Sequence, residues 1–195
     1  MLDYDANAGR SHMGYTRLWQ AWLSTDNRAM DTRWIPSVTV AAIIERDGRF
    51  LLVEEMTAQG LMLNNPAGHL DPGESPLEGC ARETLEETTH LFRPTALVGI
   101  YVSRLQRPSA NGQAIDDITY LRFAFCGELG GVQAGCRLDE GIVRTLWLSP
   151  QEIRASAERH RSPLVLRCME DYLRGQRFSL EAIYTHPSVH GAAGM

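Results

Sequence analysis

Apolar and polar positions along this chain follow two different periods. From Val38 the pattern is β-like: "SVTVAAIIE" and "RFLLVEE" are apolar, β-branched runs separated by Asp47-Gly48. Asp-Gly between two such runs predicts a tight hairpin, because its turn needs positive φ at both central residues. "LMLNNPAG" predicts a short extended piece before Pro66, and a helix is expected over about 76–90. Strands are expected over 96–105 ("ALVGIYVSRL") and 118–129 ("ITYLRFAFCGEL"), with a short last one at 145–149 ("TLWLS"). The polar stretch 106–117 between the longer two reads as a loop long enough to suggest function.

Helical spacing returns in the last quarter. Ser149, Pro150 and Glu152 form a helix start with a capping box. Leu164, Val165, Cys168, Met169, Tyr172 and Leu173 mark one face of a further helix, with Gly175 as its stop. Strands, one helix, more strands and two helices make an α+β domain. Residues 1–36 lack a clear period and are expected to be a mobile extension, with a short amphipathic helix in "TRLWQAWL" and a turn at Ser24–Arg28. Residues 37–183 form the expected domain and 184–195 a loose tail holding His186 and His190.

The helix over 76–90 is unusual in its charge. Ser75-Pro76-Leu77-Glu78 is a capping box with proline at the first helical position. At about 100° per residue, Leu77, Ala81, Thr84, Leu85 and Thr88 fall on one side. Glu83, Glu86 and Glu87 cluster on the other at i, i+3 and i+4, their Cβ atoms about 5–6 Å apart. Contacts from Arg82 to Glu78 and to Glu86 are expected at i,i+4 spacing, but they leave the repulsion within the trio. By itself such a face is a solvated acidic surface. Gly68 and Gly73 ahead of it change that picture, since a tightly turned backbone can bring a main-chain carbonyl to the same place. Grouped hard oxygens on a rigid element suit Mg²⁺ or Mn²⁺.

Composition narrows the setting without altering it. The chain has 195 residues, 44% hydrophobic, with formal net charge −5. No apolar run reaches the roughly 20 residues of a membrane span, and the N-terminus lacks a secretory pattern. No basic patch points to nucleic acid. Cys80, Cys126, Cys136 and Cys168 are scattered without a CxxC pair, which argues against zinc and for reduced thiols in a cytoplasmic protein. An acidic protein that handles phosphates needs a cation between the two.

Gly68, Glu74, Arg82, Glu83, Glu86 and Glu87 stand at the spacing G-x5-E-x7-R-E-x2-E-E, which resembles the Nudix box. The resemblance implies a Nudix-type α/β/α sandwich with a mixed sheet. It also implies metal binding by Glu83, Glu86, Glu87 and the Gly68 carbonyl, and loop and helix support by Glu74 and Arg82. "VTVAAIIERDGRFLLVEE", "NNPAGHL", "YLRFAFCGEL", "RSPLV" and "GQRFSLEAI" are similar to the phosphatase NudJ subgroup over about 38–183. The subgroup implies hydrolysis of nucleoside di- and triphosphates and of thiamine-related pyrophosphates, including hydroxymethylpyrimidine pyrophosphate. ADP-ribose, sugar nucleotides and dNTPs stay open as alternative substrates, as does a catalytically silent nucleotide sensor.

The expected chemistry is water attack at phosphorus, aided by Mg²⁺ or Mn²⁺. Glu83 is a ligand and candidate base, and Asp139 or Glu140 are candidate loop bases ahead of Asp116 and Asp117. His69 is expected at the surface or on a phosphate, and His90 packing or capping the helix end. The expected partner is a small phosphorylated substrate, with no nucleic acid and no membrane, for a monomer or homodimer. Thr84, Thr89, His90 and Leu63 depart from the pattern. With Thr89 where glycine is usual, the helix is expected to avoid a left-handed turn and end later, before Pro94.

Overall fold

The computed structural model describes residues 34–108 and 115–191. The expectations for the N-terminal extension fall on residues 1–33 and lie outside the described residues, as do 109–114 and 192–195.

Strand β1 (Ser37–Ile43) alternates cleanly. Val40 and Ala42 enter one apolar cluster and Ala41 and Ile43 another, as a strand buried on both faces requires. It pairs in parallel with β7 (Ile115–Val132) and antiparallel with β5 (Ala67–His69), and β7 pairs antiparallel with β6 (His90–Pro108). This mixed sheet runs β5-β1-β7-β6. A second sheet holds β2 (Glu45–Arg46), β3 (Arg49–Thr57) and β4 (Gly60–Asn64), with β8 (Ile142–Leu148) on the other edge of β3. Helix α1 (Pro76–Thr88) places Cys80 against Val40, Ala42 and Phe125. Helix α3 (Leu164–Leu173) packs Val165, Cys168 and Met169 against Ala41, Ile43, Phe50 and Leu52. Helix α2 (Pro150–Ala155) adds Ile153 to that second cluster. The α+β expectation and the layered mixed-sheet architecture hold.

The local signals act as chemistry dictates. Asp47 and Gly48 take φ of 52° and 76°, the primed turn expected between β2 and β3. Both capping boxes form, at Ser75/Glu78 and at Ser149/Glu152. Gly175 follows α3 at φ +80°.

Four expectations need correction. The helix does not run on toward Pro94: it ends at Thr88, and Thr89 adopts the left-handed conformation at φ 60°, ψ 8°. Its amide still donates to the Leu85 carbonyl, and its own carbonyl accepts from Gln133 N–H. Strand pairing from His90 onward captures the chain and outweighs the local cost. The 106–117 loop is largely hairpin, since β6 extends to Pro108 and β7 starts at Ile115. Arg104–Asp117 and Arg107–Asp116 ion pairs cross it, which occupies both acids structurally. Glu78 does not reach Arg82, because it accepts from Ser75 N–H in the capping box. Finally, the tail is not without structure as far as Gly191: residues 187–190 form a 3-10 turn, and His190 Nδ1 lies 3.1 Å from the Gly73 carbonyl oxygen.

Candidate active site

The loop 70–75 and the start of α1 are held by one ion network. Arg82 reaches back to Glu74 (2.7 Å), forward to Glu83 and Glu86 (both 2.8 Å), and to the His69 carbonyl (2.9 Å). Glu74 also accepts from Asp71 N–H. Arg82 lowers the Glu74 pKa, chiefly through its hydrogen bond, and the same contacts raise that of Arg82.

Gly68 is glycine for a steric reason. A Cβ there would overlap the Glu83 carboxyl group, so the carboxylate lies in the space a side chain would take. Glu87 points inward: it is 9% exposed, and its Oε2 accepts from Ala67 N–H at 2.8 Å. Burial raises the Glu83 pKa, more than the Arg82 contact lowers it. Burial also pushes Glu87 up to about 8, helped by the negative charges of Glu83, Glu55 and Asp139 and opposed by the Ala67 amide. Two of the three acids are thus costly to ionise where they stand. The third, Glu86, has 38% side-chain exposure and faces outward.

Do these residues fit a divalent cation? The donor set is hard oxygen, and desolvated carboxylates beside a glycine backbone gain from a cation that replaces lost hydration. Among the described residues no three His, Cys, Asp or Glu side chains already converge as a coordination shell. Arg82 holds Glu83 and Glu86, and Ala67 holds Glu87, so protein donors offset part of the repulsion among the carboxylates, which still raises Glu83 and Glu87. The residues fit a cation that takes over that role.

The fold brings further groups to this end of α1. Asp139 N–H donates to the Glu86 carbonyl at 3.0 Å, and the Asp139 charge is felt by both Glu83 and Glu87. Glu140 is exposed one residue on. His69 is exposed, with its ring 6.4 Å from that of Tyr120. His90 Nδ1 lies 2.8 Å from the Thr88 carbonyl, at the helix end as expected.

Two residues escaped sequence reasoning. Glu55 lies within β3 as the second of a Glu-Glu pair; Glu54 is taken by Arg144 and Arg159, while Glu55 meets Arg161 at 3.4 Å and its charge bears on Glu87. Arg122 sits inside an apolar strand run, and that misfit was its signal. Leu63, where the subgroup pattern has tryptophan, is simply core.

The NUDIX domain family model matches residues 34–168. Phosphatase NudJ of Escherichia coli strain K12 is 36% identical over 148 residues, covering 76% of this chain and 90% of that protein. Phosphatase NudJ of Shigella flexneri matches to the same extent. A solved NUDIX hydrolase from Nitrosomonas europaea is 47% identical, covers 78% of this chain and 98% of its own, and superposes with a TM-score of 0.70. The chain belongs to the Nudix hydrolase family. It is an enzyme with phosphatase or pyrophosphatase activity, of a family that acts on small phosphorylated substrates and generally uses divalent metals such as Mg²⁺. No helix among the described residues is long and apolar enough to cross a membrane.

Proposed function

We propose that this enzyme hydrolyses pyrophosphate bonds in nucleoside di- and triphosphates and in hydroxymethylpyrimidine pyrophosphate, by water attack at phosphorus. The observation that carries the site assignment is the Glu83 carboxyl lying in the space left by Gly68. The substrate range is supported by the similarity to Phosphatase NudJ over 90% of that protein's length.

Glu83, Glu86, Glu87 and the Gly68 carbonyl would hold Mg²⁺, with Mn²⁺ as a substitute. Such a cation supplies charge stabilisation to the phosphoryl oxygens and acidifies the attacking water. Arg82 and Glu74 keep helix and loop in register. Asp139 is the proposed base, because its backbone is tied to Glu86 while its carboxylate remains exposed to take a proton. Glu140 beside it and Glu83 are the remaining candidates. The protein is proposed to work in the cytoplasm, in keeping with its buried free thiols Cys80, Cys126 and Cys168.

The test is Mg²⁺-dependent phosphate release over a panel holding nucleoside di- and triphosphates, hydroxymethylpyrimidine pyrophosphate, ADP-ribose and a sugar nucleotide. Glu86→Gln and Glu87→Gln should each cut the rate by about 100-fold or more, the scale of losing charge stabilisation at the reacting group. Wild-type rates in either variant would sink the assignment. Preference for ADP-ribose or the sugar nucleotide would move the substrate class.

A further inference from the structure

Most of the described arginines meet carboxylates. Arg144 and Arg159 share Glu54, and Arg167 and Arg174 share Asp171. Arg122 differs. It lies mid-strand in β7, between Thr39 of β1 and Tyr101 of β6, and is only 8% exposed. Its Nε and Nη1 are buried and have no hydrogen-bond partner, and the neighbouring Thr39 Oγ1 has none either.

A guanidinium stays charged in a protein and donates only. Left buried and unpaired it is strongly destabilising, so a chain retains one where something else completes it. The carboxylates whose charge bears on Arg122 are Glu87 and Glu55. Glu55 Oε1 is buried without a hydrogen bond and meets Arg161 Nε only as an ion pair at 3.4 Å. Arg122 therefore stands within electrostatic reach of the inner end of the carboxylate site, and burial lowers its pKa.

We propose that Arg122 is a substrate-binding residue whose guanidinium receives phosphate oxygens of the pyrophosphate group. The proposal rests on the pyrophosphate-hydrolase reading above. A donor-only planar cation with free N–H groups matches phosphate better than it matches a neutral ring. The sheet register gives its place: Thr39 pairs with His69 of β5 on one side and with Arg122 on the other, so the guanidinium stands two strands, about 10 Å, from the Gly68–His69 end of the carboxylate site. Substrate would thus supply the negative charge that the fold withholds.

The experiment uses the full chain with Mg²⁺ and imidodiphosphate, the non-hydrolysable P–N–P analogue of pyrophosphate. Arg122→Met should fold and melt at or above wild type, because an unpaired buried charge is removed. Its imidodiphosphate affinity should fall, and its KM rise, by about 10- to 100-fold, the scale of charge-assisted hydrogen bonds. Should Arg122→Met fail to fold, Arg122→Gln keeps a polar side chain and is expected to weaken imidodiphosphate binding in the same way. Wild-type imidodiphosphate affinity in a folded variant overturns the proposal. So does a KM increase for nucleotides with analogue binding unchanged, which would place the guanidinium on the base. Lower melting temperature with unchanged affinity would reduce Arg122 to a structural residue. A wild-type protein that neither binds imidodiphosphate nor releases phosphate takes down the pyrophosphate reading itself, and this proposal with it.

Discussion

Thr89→Gly should stabilise this protein. Thr89 ends helix α1 at φ 60°, ψ 8°, a conformation whose cost for an L-residue is about 1–2 kcal/mol. Its two backbone bonds, to Leu85 and from Gln133, involve main-chain atoms and survive the substitution. Glycine removes the strain but loses more backbone freedom on folding, worth roughly 0.5–1 kcal/mol. The net gain is about 0.5–1 kcal/mol, since the two effects oppose. At about 2–4 °C per kcal/mol for a domain of this size, the melting temperature should rise by roughly 1–4 °C. Differential scanning calorimetry of wild type, Thr89→Gly and Thr89→Ala measures this directly. Alanine keeps the Cβ and should give no comparable gain. Equal stabilisation by alanine, or none by glycine, would refute the strain argument. Phosphate release should be unchanged, because Thr89 touches none of the carboxylates that face Gly68 and Ala67.

Glu87 makes the metal-free protein pH-sensitive: its carboxyl titrates near 8 when folded and near 4.5 when unfolded, so stability falls as pH rises through that window. Mg²⁺ should bind more tightly at pH 8 than at pH 6 and release a proton; calorimetry in buffers of different ionisation enthalpy, showing no release, would remove Glu87 from the ligand set. Asp171 is 1% exposed and takes hydrogen bonds from Arg167, Arg174 and Tyr101. Asp171→Asn should cost about 1–3 kcal/mol in urea unfolding, and wild-type stability would contradict the role given to this cluster. Burial raises the Asp171 pKa, but its arginine and tyrosine partners outweigh that and hold it below 3.8. This stability is therefore present above pH 3.8 and lost as pH falls through the depressed value; an Asn variant with the same acid midpoint as wild type would count against it.

The sequence by itself determined the features set within a few residues of chain. The Asp47-Gly48 turn, the two capping boxes and the spacing of Glu83, Glu86 and Glu87 follow from backbone geometry and side-chain reach. Periodicity found the strands and helices, though it cut β6 and β7 short. It missed 90–95 and 130–132 at one end of the pair and 106–108 and 115–117 at the other; the latter are mostly polar and are held by each other's backbone and by Arg–Asp pairs rather than by a buried face.

Tertiary structure decided what the acids face. Helical geometry grouped Glu87 with Glu83 and Glu86, but packing against Ala67 turned it inward, and desolvation followed. Pairing of His90 with Val132 forced Thr89 into a conformation that its own preferences oppose. Glu55, Asp139 and Arg122 come from β3, the loop before β8, and β7, far apart along the chain. Spacing rules reach about one helical turn, whereas electrostatic neighbours are chosen by the whole fold. The sequence therefore determined which acids stand together on the helix, and the tertiary structure decided which of them lose water.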